Sequence, residues 1–389
     1  FATRARANIL RELLTHPDSK KIFDAPEIKQ ILDYCLSCKA CRSECPSNVD
    51  MTRLKAEIMQ HCHDVNGTPF RSFMVARMAM VERLGSMVPD VYNFFATNRI
   101  SSAILKKILN FASERQIPTL SRKTLRKLVG IENRRTSGNV FPNGTVYLFA
   151  DEFTNCMEAE LGLTFVKLLN ALGYRVLVPE HKESGRAAIS KGVLKLARKF
   201  ATYNVENLSN IITEDTPLVG IEPSCILTFR DEYPDLVPKA MKEQAECLGN
   251  NALLFDEFLV REMKKGRVTQ TRFDSVKRKI YLHGHCHQKA LVGVEKSVEV
   301  LSLPEGHEVV AIPSGCCGMA GSFGYEKEHY GFSQEVGEQV LFPTIRKAVS
   351  QNREIIVSAP GTSCREQIRH GTGIKALHPI EVLYMAVKK

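Results

Sequence analysis

Twelve residues constrain this chain more than any others: Cys35-Leu-Ser-Cys-Lys-Ala-Cys-Arg-Ser-Glu-Cys-Pro46. Four cysteines stand two, two and three residues apart, and a proline follows the last. Thiolates so spaced converge on one centre only if the backbone curls tightly around it, and this is the spacing of a [4Fe–4S] loop. Pro46 ends the curl, because proline fixes φ and offers no N–H. A zinc knuckle usually splits its ligands into two separated pairs. A disulfide pair needs an oxidising compartment, of which the sequence carries no sign. Cys35, Cys38, Cys41 and Cys45 are therefore the candidate ligands of an iron–sulfur cluster.

The other cysteines agree with a reducing compartment. There are twelve in all, several of them clustered, and the vicinal pair Cys316–Cys317 is awkward for disulfide geometry. A length of 389 residues leaves room for two or three domains. No apolar run approaches the ~18 residues of a membrane span. The first residue is Phe1, and no apolar signal core follows it. The opening stretch reads as an amphipathic helix with Ile9, Leu10, Leu13 and Leu14 on one face. The chain is expected to be the downstream half of a longer polypeptide.

Net charge is +10, and it is unevenly spread. Ten basic residues fall between Arg99 and Arg135: Arg99, Lys106, Lys107, Arg115, Arg122, Lys123, Arg126, Lys127, Arg134 and Arg135. Only Glu114 and Glu132 oppose them. The plain expectation is a solvated helical connector. The sharper one is a docking surface for an acidic partner or an anionic membrane face. Nucleic acid is not expected, since Phe111 is the only aromatic among these bases.

Residues 1–135 read as an all-helical, ferredoxin-like iron–sulfur domain. Pro26–Tyr34 delivers Cys35, and Asp50–His63 carries Met51, Leu54, Ile58 and Met59 at helical spacing. Phe70, Phe73, Met74, Met78, Met80 and Met87 line further helices, in stripes that usually form core, though Met-rich faces also serve as contact surfaces. After Thr136 the pattern changes to short apolar strands alternating with helices, which argues for parallel sheets of βαβ units. The strand candidates are Thr145–Ala150, Arg175–Pro179, Pro217–Ile221, Lys279–Leu282, His307–Ile312 and Ile355–Ser358. The helix candidates are Glu158–Leu172, Lys191–Phe200, Glu295–Leu303 and Ser333–Ser350.

This half repeats itself. Val146-Tyr-Leu-Phe-Ala leads to Cys156 as Ile280-Tyr-Leu-His-Gly leads to Cys286. Glu183-Ser-Gly-Arg186 stands where Cys316-Cys-Gly-Met319 stands in the second copy. Ile221-Glu-Pro-Ser-Cys225 matches Ser358-Ala-Pro-Gly-Thr-Ser-Cys364. Two α/β lobes related by a pseudo-twofold are expected, over 136–270 and 271–389.

The second lobe carries Cys286, Cys316, Cys317 and Cys364, each at or just after a strand end. Loops at the carboxyl ends of parallel strands converge on one crevice, so four thiolates there predict a second metal centre. Gly315, Gly318, Gly321 and Gly324 let backbone approach sulfur closely. The first lobe has lost its vicinal pair and is expected to bind no cluster of its own. Cys225 could still reach across as an extra ligand. Cys156 and Cys225 read equally well as buried small hydrophobes. If the strand extends that far, His283, His285 and His287 share one face around Cys286, as donors or proton carriers near the cluster, or as a zinc site of three histidines or of two with a cysteine. His329 reads as a surface residue.

The pattern Cys–x29–Cys-Cys-Gly-Met–x44–Cys, with a degenerate upstream copy, resembles the cysteine-rich CCG domain of heterodisulfide reductases and of iron–sulfur dehydrogenase subunits. Leu36-Ser-Cys-Lys-Ala-Cys-Arg-Ser-Glu-Cys-Pro-Ser-Asn-Val-Asp-Met51, Glu222-Pro-Ser-Cys225, His285-Cys-His-Gln-Lys-Ala290 and Gly315-Cys-Cys-Gly-Met-Ala-Gly-Ser-Phe-Gly-Tyr-Glu326 narrow it. They resemble the C-terminal half of bacterial FAD/iron–sulfur oxidoreductases of the D-lactate and D-2-hydroxyglutarate dehydrogenase type. That resemblance implies one [4Fe–4S] cluster or two, and FAD on an upstream domain or partner subunit. It also implies electron delivery to a quinone or soluble carrier, and a cytoplasmic place, with contact at the inner membrane as a variant. Related subunits often carry two Cys-x2-Cys-x2-Cys-x3-Cys-Pro runs, and this chain has one. The fourth ligand of the first cluster is thus open among Cys45, Cys62 and a cysteine of the lobes. No catalytic residue is assigned. The rival expectations are a disulfide or quinone reductase site in the lobes themselves, and a structural zinc module.

Overall fold

The computed structural model describes residues 3–15, 23 and 26–388. Before residue 140 the described secondary structure is helical, in nine segments. Thr3–Thr15 and Pro26–Asp33 pack on Met51–Asn66 or on one another, through a small core of Leu10, Ile28, Leu32, Met51 and Ile58. The side chains of Leu13 and Leu14 lie outside the described residues, as does Phe1. Asp50 starts Met51–Asn66 by accepting from the backbone N–H of Thr52 at 2.8 Å, which satisfies an otherwise unpaired donor of the first turn.

The remainder is α/β. Seven short strands form two parallel sheets. The first contains β1 (Thr145–Phe149), β2 (Arg175–Leu177), β3 (Leu218–Gly220) and β4 (Ala252–Leu254), in the order β2-β1-β3-β4. The second contains β5 (Arg278–Leu282), β6 (His307–Ala311) and β7 (Ile356–Ser358), in the order β6-β5-β7. Register places Leu148 beside Val219, and Ile280 beside Val309 and Ile356. These central strands are apolar on both faces, as parallel sheets covered by helices require.

The two halves exchange helices. Pro379–Ala386, which closes the second lobe, packs on Ala159–Ala171 of the first. Phe255–Lys264, which closes the first, packs on Glu295–Leu301 of the second. Each partner helix follows the central strand of its own sheet, so the exchange is reciprocal. One core runs through both, joining Leu148, Phe165 and Phe258 to Ile280, Leu282, Val300 and Leu383.

Three expectations are corrected. Ser333–Ser350 is two helices, Tyr330–Gln339 and Leu341–Gln351, broken at Val340. Pro343 has no N–H to continue a helix from upstream, yet fits the first turn of the second one. The proposed core stripe fails at Phe70, Phe73, Met80 and Met87, all exposed, Met87 by 78%. The basic segment is not uniformly solvated. Arg99, Lys107, Arg122, Lys123, Lys127, Arg134 and Arg135 are exposed, but Arg115 is buried. It donates to Gly324 O at 2.7 Å and to Gln367 Oε1 at 2.8 Å.

Candidate metal centre

The loop that carries the first cysteines is held in an unusual curl. Ser37 and Lys39 both have positive φ, at 52° and 63°. This left-handed conformation is costly for residues with a Cβ and persists only where the surroundings enforce it. The surroundings here are charged and buried. The Lys39 ammonium meets Asp231, lies 2.8 Å from Glu232 and 3.6 Å from Asp50. Arg42 and Arg53 reach the same Asp231. Burial alone would make Lys39 easier to deprotonate, but Glu232 and Asp231 outweigh it and hold it charged. Lys55 adds a donor from below, to Cys35 O at 2.7 Å.

Cys35, Cys38, Cys41 and Cys45 are all partly accessible. Cys38 is pushed up to about 12, first by burial and then by Cys286. Burial also raises Cys41. Cys45 sits differently: the backbone N–H groups of Val49 and Ser47 stabilise its thiolate and lower it. Cys41 and Cys62 both pack, partly buried, against the small helical core.

The second set is a chain of touching thiols. Cys286 contacts Cys316, Cys316 contacts Cys317, and Cys317 contacts Cys364. The bond that Cys286 donates to Cys316, and burial, together hold Cys286 well above the ordinary thiol range. Cys317 and Cys364 are buried, and their sulfurs lie within 4.8 Å of a ring nitrogen of His283 and of each other. Cys38 is near enough to Cys286 and Cys316 to bear on their charge. The first loop therefore comes to the same place as the second set. Gly318, with φ of 93°, lets the chain turn under Cys316 and donates to its sulfur at 3.4 Å. Lys289 donates to Gly315 O at 2.9 Å, in the field of Cys364 and Cys286.

The three histidines do not share a face, because the strand ends at Leu282 and a helix, Cys286–Leu291, begins. His283 Nδ1 pairs with Ser314 Oγ at 2.7 Å, and its Nε2 has no protein partner. His285 caps the helix by accepting from His287 N at 3.2 Å. His287 Nε2 meets Ser37 O at 2.9 Å. Burial lowers all three, so they stay neutral. His329 is not a surface residue. It is 1% exposed and bridges Asp33 Oδ2 at 2.8 Å and Glu326 Oε2 at 3.0 Å.

The first α/β half carries buried acids, Asp151 and Glu152. Ser184 Oγ donates to Glu152 Oε1 at 2.6 Å. Cys225 packs in a core separate from that of Cys317 and Cys364, and Cys156 is likewise buried. Sequence reasoning missed Lys39, Asp231, Glu232 and Arg186. A lysine inside a cysteine loop and a buried Asp-Glu pair were the available signals.

Comparison with known proteins places the chain in the company of dehydrogenases. It is 27% identical over 388 residues to the D-2-hydroxyglutarate dehydrogenase of Pantoea ananatis, covering 97% of this chain and 36% of that protein. To the enzyme of the same name from Escherichia coli K12 it is 27% identical over 371 residues, 93% of this chain and 35% of that one. To one of the subunits of the anaerobic glycerol-3-phosphate dehydrogenase of Escherichia coli K12 it is 26% identical over 381 residues, 95% of this chain and 91% of that polypeptide. No family model matches. The chain is thus related over nearly all its length to these oxidoreductases, and spans about a third of the D-2-hydroxyglutarate dehydrogenases it matches.

Proposed function

We propose that the chain is the iron–sulfur part of an FAD-linked dehydrogenase of D-2-hydroxy acids, of the D-lactate or D-2-hydroxyglutarate type. It takes electrons from reduced flavin and delivers them to a quinone or soluble acceptor. The division into a helical ferredoxin-type domain (1–135), a degenerate lobe (136–270) and an intact cysteine-rich lobe (271–389) belongs to this reading. The observation that carries it is the approach of Cys38 to Cys286 and Cys316. Two sets of soft donors meet at one crevice, and thiolates are the donors iron–sulfur clusters use.

Cys35, Cys38, Cys41 and Cys45 would hold one [4Fe–4S] cluster. Cys286, Cys316, Cys317 and Cys364 would hold a second, or complete the first. A cluster so held supplies one-electron exchange. The chain's own residues do the rest. Lys39 and its carboxylates fix the loop, Lys55 and Lys289 place positive charge beside thiols that must ionise to ligate, and Gly318 brings an N–H to sulfur. FAD is assigned to a dehydrogenase domain or partner subunit.

A second reading has one observation in its favour. The grouping of His283, Cys317 and Cys364 would also suit zinc, in a structural site. An anaerobic titration separates the two. Joined with its flavin partner and given the D-2-hydroxy acid, the brown chromophore should bleach as the flavin is reduced. A chromophore that stays oxidised, or a colourless zinc-bearing protein, would defeat the relay.

A further inference from the structure

The two sheets surround their central strands alike, and the difference between them is chemical. β1 pairs with β2 and β3 as β5 pairs with β6 and β7. Cys286 opens the helix after β5 and His285 caps it; Glu152 opens the helix after β1 and Asp151 caps it. Cys316 and Cys317 follow β6, and Glu183 and Ser184 follow β2. Oxygen donors thus stand in the first half where thiols stand in the second. Thiolates suit iron and zinc, whereas carboxylates suit magnesium, calcium and manganese.

Glu82 is the residue that needs explaining. It reaches this place from the helix Met78–Gly85, which packs on Glu152–Cys156. Its side chain is 1% exposed, and both carboxylate oxygens lack a protein partner. The groups that bear most on its charge are Glu152, Asp151 and Glu183, acids like itself. Asp151 and Glu152 are buried too, but they are hydrogen-bonded, Asp151 by the Thr154 hydroxyl at 2.7 Å and Glu152 by that of Ser184 at 2.6 Å. Glu183 keeps a buried Oε2 without a partner. Among the described residues no ion pair reaches any of the four. Buried acceptors left unpaired are costly, so their persistence asks for a partner, and the partner that suits acids is a cation.

A cavity of about 220 Å³ adjoins this place, with Glu152 and Glu183 in its wall. The bases in its lining do not supply that cation. Arg77 lies over the Phe73 ring at 3.9 Å, Lys182 lies over the Tyr203 ring at 4.9 Å, and Arg83 is exposed. No three ligand atoms of these acids fall within 4.8 Å of one another among the described residues. An ion here must keep part of its water, as Mg²⁺ does when one or two carboxylates hold it.

We propose that a hydrated divalent cation of the Mg²⁺ class binds here, with Glu82 and Glu183 as its protein ligands and Asp151 and Glu152 as the negative charge behind them. The ion ties the helix Met78–Gly85 to the end of β1. The site is separate from the cysteines and does not depend on the redox reading.

The test uses the full chain, purified anaerobically and freed of divalent cations on a chelating resin. Mn²⁺, a paramagnetic substitute for Mg²⁺, should bind at a saturable site, read as loss of the free-ion EPR signal, and Mg²⁺ should compete for it. Thiolates are poor ligands for both ions, which keeps the cysteines out of the measurement. Mg²⁺ should also raise the melting temperature and slow amide exchange across residues 78–86 and 150–156. Glu82→Gln should weaken Mn²⁺ binding about tenfold or more, and Glu183→Gln should weaken it as well. In the cation-free protein Glu82→Gln should raise the melting temperature, since it removes an unpaired acid, so its lost affinity is not a lost fold. Absence of saturable Mn²⁺ binding at millimolar concentration would overturn the site. So would unchanged affinity in both variants, or a rise in melting temperature with Mg²⁺ that is as large in Glu82→Gln as in the parent.

Discussion

His287 Nε2 lies 2.9 Å from the carbonyl oxygen of Ser37, across 250 residues of sequence. With Nδ1 of a neutral ring left over, Nε2 must carry the proton and donate. The bond ties the helix that starts at Cys286 to the loop that carries Cys38. His287→Leu should leave a half-buried carbonyl without its protein partner and cost about 1 kcal/mol. Hydrogen exchange at residues 36–41 should accelerate in that variant. His287→Gln, which can still present an N–H, should restore part of the protection.

Lys39 holds the same loop from the other side. Lys39→Met would strip a cation from buried Asp231 and Glu232, leaving Arg42, Arg53 and Arg186 to compensate. Removing one partner of a buried network costs on the order of 3 kcal/mol. Urea unfolding should show a lowered midpoint with little change of slope. Lys39→Met with Asp231→Asn should recover some of the loss.

His329 makes the docking of the helical segment pH-dependent. Burial alone would lower it, but Asp33 and Glu326 outweigh this and raise it to about 9. Its folded value exceeds its unfolded one, so its contribution is full below about 6.5 and is lost as pH rises through about 9. Glu326 is depressed to about 2 by His329 and Lys191 against its own burial. Its contribution is present above about 4.5 and lost as pH falls toward about 2. The melting temperature should therefore drop between pH 8 and 10 in the parent, and drop less in His329→Gln.

Glu82, like His329, holds its proton more tightly in the folded state, but here the cause is burial without a partner. Both its oxygens are buried without a protein partner, and burial followed by Glu152 raises it well above the carboxylate range. The folded state holds this proton longer than the unfolded one, so stability declines as pH rises above about 4.5. Glu82→Gln should remove that slope and raise the melting temperature at pH 7.5 by a few degrees.

The curled cysteine loop was legible because four thiols at that spacing on one side of a short turn end at a proline, and six of seven strands because their apolar runs are bounded by turns. β4 escaped notice since Ala252–Leu254 is three residues set between two helices. The Met-rich stripe was misjudged because periodicity shows that a helix has an apolar side, not what covers it. His329 was misplaced because its partner Asp33 is 296 residues away. Arg115 was counted with the solvated bases for the same reason, its acceptors lying more than 200 positions downstream.

The central claim is that two sets of thiols hold iron together. The direct test is an iron and acid-labile sulfide count, with an EPR spectrum, on anaerobically purified protein. About eight irons per chain, or about four that are lost on Cys38→Ala and on Cys317→Ala alike, is the result expected. Negligible iron with stoichiometric zinc would contradict it.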